Sequence, residues 1–186
     1  MKFIQRKLEG VFEIIPGPIV DSRGFFMRSY DLLRFKEIGL HREWKQENHS
    51  ATISKGTIRG LHFQFPPFTE AKLVRCIKGA ILNVFVDLRK DSETFGKWDA
   101  VELNEENKKM IFIPRGFANG FCILEDNSEL LYKTDNYYNS DHEGQIIWND
   151  NDLDILWPFK NPILSKKDLK NMSFKKFVEQ FKYLED

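Results

Sequence analysis

The sequence is poor in the residues that build disulfide frameworks and metal sites. Only two cysteines occur among 186 residues, Cys76 and Cys122, and each lies inside an apolar stretch. We therefore expect two buried thiols in a reducing cytoplasm rather than a disulfide framework. Two lone cysteines cannot form a zinc site. The four histidines are well separated and no His-x-His pair occurs, so no metal site is predicted.

An excess of charge and a long apolar run are also missing. Lys plus Arg and Asp plus Glu both number 28, which gives a formal net charge of zero. That balance argues against nucleic acid or a membrane surface as the main partner, although a local basic cluster could still bind a small anion. No apolar run approaches the roughly 18 residues of a membrane span. The first ten residues are interrupted by charges and do not resemble a signal peptide, so we expect a cytoplasmic protein.

What the sequence does contain is typical of a single, mainly β domain covering residues 1–186. Apolar residues make up 41% of the chain, and phenylalanine occurs 17 times. Short runs of aromatic and β-branched residues, separated by turn signals, predict strands. The predicted strands cover residues 72–77, 81–88, 100–103, 109–114, 120–124 and 129–134. Helical patterns are missing between them, which favours an antiparallel sandwich or barrel over a parallel sheet.

Two short helices are predicted at the edges of this strand-rich region. Asp31 is placed to cap a helix over residues 32–38, and Gly39 follows its end. Near the C-terminus, Ser173 is placed to cap a helix that runs to about residue 184. Its apolar residues form one stripe, which we interpret as a face that docks onto the barrel. The stripe consists of Phe174, Phe177, Val178, Phe181 and Leu184.

The strongest local signal for chemistry is the segment GTIRGLHFQ, residues 56–64. Strict alternation would place Arg59 and His62 on opposite faces of a strand. Gly60 between them permits a bulge that would turn both side chains inward. A lone histidine is more often structural than catalytic, so both interpretations stay open on these residues alone. Lys72, Tyr132 and Arg23 likewise have ordinary explanations as edge, core and surface residues when each is considered alone.

The combination of motifs along the chain is much more specific than any one of them. Ten segments occur in a characteristic order: DSRGFF (21–26), QENHS (46–50), RGLHFQ (59–64), KLVR (72–75), VDLR (86–89), IPRGFANGF (113–121), YK (132–133), EG (143–144), IWND (147–150) and LSKKD (164–168). From about residue 3 to about residue 170 the chain resembles the dTDP-4-dehydrorhamnose 3,5-epimerases. The resemblance implies a cupin-like antiparallel β-barrel, or jelly roll, with short helices.

The resemblance also implies a reaction and a set of site residues. The substrate would be a nucleotide-diphosphate 4-keto-6-deoxy sugar, with no metal and no cofactor, and the protein would be a homodimer that exchanges N-terminal strands. His62 would be the base, Asp168 its partner, Tyr132 the acid and Lys72 a further catalytic residue. The positions implied to bind substrate are Arg23, Arg28, Gln46, Glu47, Asn48, Arg59, Asn119, Glu143 and Lys167.

Two positions depart from the family pattern, which usually has histidine at 119 and glutamate at 28. Asn119 can donate a hydrogen bond but cannot titrate near neutrality, and Arg28 reverses a charge. Inversion of a single carbon, use of a CDP- or GDP-linked sugar, and a ketoisomerase reaction therefore remain alternatives. A non-catalytic sugar-nucleotide-binding barrel is a fourth, although binding alone needs no acid–base pair such as His62 and Tyr132.

Overall fold

The computed structural model describes residues 1–184, so residues 185 and 186 of the predicted domain lie outside the described residues. Its strands, in chain order, are β1 (Lys2–Gln5), β2 (Phe12–Ile15), β3 (Ile19–Asp21), β4 (Gly24–Phe26), β5 (Gln46–Thr52), β6 (Ile58–Gln64), β7 (Lys72–Lys78), β8 (Ala80–Asp87), β9 (Trp98–Asn104), β10 (Met110–Ile113), β11 (Phe117–Ile123), β12 (Ser128–Thr134) and β13 (Glu143–Gln145). The α-helices are α1 (Leu32–Glu37) and α2 (Phe174–Phe181). Short 3-10 helices cover Ser140–His142 and Asp168–Lys170.

Two antiparallel sheets face each other and form the barrel. The first has the strand order β1-β2-β10-β7-β12-β5, and the second has the order β13-β6-β11-β8-β9. Apolar side chains from both inner faces fill the space between them, among them Val74 from β7, Phe85 from β8 and Ile111 from β10. The predicted mainly β, antiparallel fold is therefore confirmed. Among residues 1–184, no helix combines the length and apolar character needed to cross a membrane.

The strand predictions are confirmed, with small shifts at the ends. In β8, the alternating residues Leu82, Val84 and Val86 pack against other apolar side chains on the outer side of its sheet. The strand predicted at 120–124 begins earlier, at Phe117. Cys76 and Cys122 are free and buried, as predicted. Burial raises the pKa of each of these two thiols to about 11.

Both predicted helices are present with the predicted caps. The Asp31 side chain accepts hydrogen bonds from the amides of Leu33 and Arg34 at the start of α1. Ser173 caps α2 by accepting from the Lys176 amide. α2 ends at Phe181, before the predicted residue 184, because Lys182 adopts a φ of +64°. The predicted docking of its apolar stripe is confirmed, since fully buried Phe177 packs edge-on against Phe63 with ring centroids 5.5 Å apart.

Strands β3 and β4 form a separate hairpin that packs little against the rest of the chain. They pair only with each other among the described strands, and each has three residues. The hairpin exposes four large apolar side chains, Ile19, Val20, Phe25 and Phe26. An isolated two-stranded hairpin is at best marginally stable in water. Contiguous exposed apolar surface is typical of interaction sites.

A β-bulge at Gly60 shapes the middle of β6. Asn119 of β11 lies opposite His62, whereas Phe121 lies opposite Arg59, so two residues of β6, at positions 60 and 61, lie opposite one residue of β11, at position 120. At Gly60 the two backbones touch, because a Cβ placed there would lie 2.5 Å from the Gly120 Cα. Gly60 also has a φ of +121°. The bulge predicted from Arg59-Gly60-Leu61-His62 is confirmed, and only glycine satisfies both conditions at its centre.

Gly60→Ala should therefore lower the free energy of unfolding more than the same substitution at a glycine that has a similar φ but no close neighbours. Gly24 provides that control, since its φ is +126° and no atom lies within 4 Å of the position that an alanine Cβ would occupy. Both variants force an L side chain into positive φ, at a cost of about 1–2 kcal/mol. Gly60→Ala adds a backbone collision of roughly 1–3 kcal/mol. Urea unfolding monitored by tryptophan fluorescence measures the difference, and equal losses would show that the contact with Gly120 is unimportant.

Candidate active site

One cavity of about 280 Å³ lies between the two sheets. Eight of the residues predicted from the sequence line its wall: Gln46, Asn48, Arg59, His62, Lys72, Asn119, Tyr132 and Glu143. Strands β5, β7 and β12 of the first sheet supply Gln46, Asn48, Lys72 and Tyr132. Strands β6, β11 and β13 of the second sheet supply Arg59, His62, Asn119 and Glu143. The cavity therefore has two chemically different walls.

His62 lies between two carboxylates. Its Nδ1 is 3.1 Å from Oε1 of Glu143, a cavity-lining residue. Its Nε2 is 3.4 Å from Oδ1 of Asp168, which is only 4% exposed. These two atoms are within ion-pair distance, but they are not aligned for a hydrogen bond. Asp168 Oδ1 makes no hydrogen bond to the described residues. A neutral imidazole has one N–H and can donate to only one of these carboxylates at a time.

Asp168 is held in place from the other side by Ser165. The Ser165 hydroxyl donates to Asp168 Oδ2 at 2.6 Å, and the Asp168 amide donates back to the same hydroxyl. Burial opposes ionisation, but the contacts with His62 and Ser165 outweigh it and lower the pKa of Asp168. Asp168 is therefore a fixed negative charge beside the ring at neutral pH.

Glu143 is the most heavily bonded carboxylate of the cavity wall. It accepts from Lys167 Nζ at 2.6 Å and from the Tyr138 hydroxyl at 2.9 Å through Oε2, and from Gln145 Nε2 at 3.0 Å through Oε1. Desolvation raises the pKa of Glu143, but these donors and the nearby His62 dominate and lower it to about 2. Glu143 is therefore ionised across the physiological range.

Tyr132 and Lys72 stand on the wall opposite His62. Tyr132 lies in the middle of β12, between Asn48 of β5 and Val74 of β7. Its hydroxyl makes no hydrogen bond within the described part of the chain and is available to a ligand. Lys72 is 3.1 Å from Glu70, and its side chain is 13% exposed. The wall therefore presents a hydroxyl donor and a largely buried cation.

Three predicted substrate-binding residues lie away from the cavity of this chain. Arg23 is on the exposed β3-β4 hairpin, where its side chain is 87% exposed and pairs with Asp21. Arg28 is also exposed and lies 3.6 Å from Asp31. Gln46 and Asn48 of β5 face the cavity, whereas Glu47 between them lies on the other face of the strand. Its Oε1 is 3.1 Å from Nζ of Lys133. Alternation along a strand places Glu47 on that face.

Lys167 and three residues that the sequence analysis missed complete the site. Lys167 lies at an adjoining hollow and reaches the cavity through its bond to Glu143. The missed residues are Tyr138, Gln145 and Glu70, which bond Glu143 or Lys72. The pair Tyr137-Tyr138 in a polar loop was a usable signal, since an exposed tyrosine beside polar residues often supplies a hydroxyl. Within residues 1–184, no three His, Cys, Asp or Glu side chains are grouped to hold a metal ion.

Comparison with known proteins supports the same interpretation. The family model described as dTDP-4-dehydrorhamnose 3,5-epimerase matches residues 5–176. The chain is 45% identical over 175 residues to the dTDP-4-dehydrorhamnose 3,5-epimerase of Shigella flexneri, covering 94% of this chain and 96% of the relative.

Solved structures of the same enzyme superpose closely. The Bacillus anthracis epimerase, with TDP and PPi bound, has a TM-score of 0.91 and 40% identity, covering 93% of this chain and 99% of that one. The Legionella pneumophila epimerase, in complex with dTDP-4-keto-L-rhamnose, has a TM-score of 0.89 and 36% identity, covering 94% and 93%. These matches confirm the resemblance found in the motifs, and the chain belongs to the dTDP-4-dehydrorhamnose 3,5-epimerase family.

Proposed function

We propose that the protein is an epimerase that inverts C3 and C5 of dTDP-4-dehydro-6-deoxyglucose and so forms dTDP-4-dehydrorhamnose for deoxysugar biosynthesis. The observation that carries this function is the placement of a histidine base candidate and a tyrosine acid candidate on opposite walls of one cavity. The nucleotide and nucleotide sugar bound by the Bacillus anthracis and Legionella pneumophila proteins support a dTDP-sugar as the partner. We also propose one domain over residues 1–186 and a cytoplasmic location, which two free thiols support.

His62 is the proposed base. The C4 ketone acidifies the hydrogens on C3 and C5, because the electrons left by either proton delocalise onto the carbonyl oxygen as an enolate. Asp168 lies at Nε2, outside the cavity lining, and would hold the ring and stabilise the imidazolium. Nδ1 faces cavity-lining Glu143, and because an ionised carboxylate can only accept, Nδ1 carries the ring's N–H in that contact. It would take the proton from carbon once the substrate displaces Glu143 and the N–H lies at Nε2, beside Asp168.

Lys72 is the proposed partner of the enolate oxygen. A preorganised cation in a site that excludes water lowers the energy of a developing oxyanion. Lys72 is largely buried on the wall facing His62. Arg59, brought to the same cavity by the bulge, would add positive charge for the sugar and the diphosphate.

Tyr132 is the proposed acid. Inversion requires the proton to return to the face of the carbon opposite the one that lost it. His62 and Tyr132 come from different sheets with the cavity between them, so they address opposite faces of a sugar held there. The tyrosine hydroxyl would donate its proton to the enolate carbon and would be reprotonated from solvent, while His62 loses the abstracted proton to solvent.

We further propose that two chains associate through the exposed β3-β4 hairpin. Its four apolar side chains lie on strands too short to be stable alone. A second copy is the occupant that the resemblance implies. Arg23, which is remote from the cavity of its own chain, would then be placed to bind substrate in the neighbouring chain.

His62→Asn should abolish exchange of the substrate's C3 and C5 hydrogens with solvent, with nucleotide binding retained. Asparagine keeps a polar group but cannot accept a proton near neutral pH, so we expect a loss of about 100-fold or more. His49→Asn is the matched control, because His49 lies on the same barrel but pairs with Glu129 on its outer face. NMR of the sugar in heavy water measures the exchange, and normal exchange in His62→Asn would remove this residue from the mechanism.

Tyr132→Phe should separate hydrogen abstraction from inversion. The variant keeps the ring but loses the hydroxyl, so His62 can still form the enolate and return a proton to the same face. We expect deuterium uptake with little net inversion, measured by NMR on the same samples. Tyr137→Phe is the control, since Tyr137 is exposed and lies outside the cavity lining. Full epimerisation by Tyr132→Phe would show that the tyrosine only packs.

Phe26→Asp should convert a dimer into a monomer. The substitution places a charge on the exposed apolar surface of the hairpin, where burial in an interface would be costly. Light scattering should give twice the 22.0 kDa chain mass for the unaltered protein and 22.0 kDa for the variant. Leu156→Asp, at a leucine that is also largely exposed but lies outside the hairpin, should remain dimeric. A monomeric unaltered protein would contradict the proposal.

A further inference from the structure

Asn119 is one of two polar residues paired directly opposite the proposed base, the other being Gln145 on the far side of β6. Asn119 lies directly opposite His62 in the pairing of β11 with β6, and both side chains line the cavity. Residues directly opposite on neighbouring strands have Cβ atoms about 4.5–5.5 Å apart. A group that contacts Asn119 is therefore beside the carbon that His62 deprotonates.

The orientation of the Asn119 amide follows from its partners. Nδ2 donates to the Val84 carbonyl oxygen at 2.8 Å and to Oδ1 of Asn83 at 2.8 Å. A backbone carbonyl can only accept a hydrogen bond, so the nitrogen of the amide must face Val84. The donor that the sequence analysis expected Asn119 to offer a ligand is therefore already used by the protein.

The carbonyl oxygen of Asn119 is left for the cavity. The residue is 8% exposed, and Oδ1 makes no hydrogen bond within residues 1–184. An oxygen without a hydrogen bond is either buried and unpaired or accessible to solvent. Oδ1 of Asn119 does not belong to the buried, unpaired group, so it retains accessible surface. Since Asn119 lines the cavity, that surface is available to a molecule bound there.

Asn83 stands behind Asn119 and has no obvious role in packing. It is fully buried on the inner face of β8, beside the core residues Ile81 and Phe85. Its Nδ2 has no hydrogen-bond partner among the described residues. Leaving a buried donor unpaired costs about 1–3 kcal/mol, so an apolar residue of similar size would suit the core better. The contact that Asn83 does make is the one that fixes Asn119.

We propose that Asn83 and the Val84 carbonyl hold Asn119 so that its Oδ1 accepts a hydrogen bond from a sugar hydroxyl at C2 or C3 of the substrate. This inference rests on the proposed function and adds a specificity determinant to it. An acceptor would repel the enolate oxygen, which instead requires a donor such as Lys72. Asn119 therefore recognises a hydroxyl, and Asn83 is a positioning residue that acts through it.

The test compares dTDP-4-keto-6-deoxyglucose with its 2-deoxy and 3-deoxy analogues, using kcat/KM for deuterium uptake at C5 in heavy water. The unaltered protein should prefer the parent sugar over one analogue by roughly tenfold or more, because a buried acceptor is left unpaired by the deoxy sugar. Which analogue is disfavoured identifies the hydroxyl. Asn119→Ala should reduce that preference to about one. Each ratio is measured on one preparation, so partial unfolding of a variant does not alter it.

Two substitutions at position 83 test the positioning role. Asn83→Asp keeps an oxygen for the Asn119 amide and should retain the preference, whereas Asn83→Leu removes that acceptor and should lower the preference several-fold.

An unchanged preference in Asn119→Ala overturns the inference while leaving the epimerase function intact. A Leu variant as selective as the Asp variant overturns the role of Asn83. If the unaltered protein labels neither C3 nor C5 of the parent sugar, the proposed function itself is wrong.

Discussion

The close contact between β6 and β11 at Gly60 is the constraint on which the site depends. Without the extra residue in β6, alternation would send Arg59 and His62 to opposite faces of the sheet. The bulge places both in one cavity, and the Gly60–Gly120 contact leaves no room for a side chain at its centre. The same register sets Asn119 opposite His62, so one local irregularity organises the reactive wall of the barrel.

The two sheets divide the proposed chemistry between them. The five-stranded sheet presents His62, flanked by carboxylates, and the six-stranded sheet presents the Tyr132 hydroxyl and the Lys72 cation. A sugar ring held between such walls would meet the proposed proton acceptor on one face and the proposed proton donor on the other. Inversion at carbon requires that separation, and a sandwich of two sheets supplies it.

Local patterns in the sequence were sufficient for most of the fold and for part of the site. The strand and helix predictions needed only alternation, caps and glycines, which act between near neighbours in the chain. The role of Glu143 and its bond to Tyr138 could not be read in this way, because the bond depends on how the loop before β13 lies against β6. Asn83 was equally hidden, since a buried asparagine resembles any other strand residue until its partner across the sheet is known. Arg23 lies in a motif shared with the family and Arg28 departs from the family pattern, yet neither lines the cavity of its own chain. A motif in one chain carries no information on where such exposed side chains lie relative to the cavity.

The two carboxylates around His62 have a consequence for access to the base. With Glu143 at Nδ1 and Asp168 at Nε2, each ring nitrogen faces a carboxylate of the protein. A sugar that uses Nδ1 of the proposed base must take the place of Glu143, whose other partners are Lys167, Tyr138 and Gln145. Access to the reactive nitrogen is thus linked to occupancy of the cavity. Between turnovers Glu143 occupies Nδ1, so a carbonyl compound that uses this nitrogen as a base has to compete with a bonded carboxylate for it.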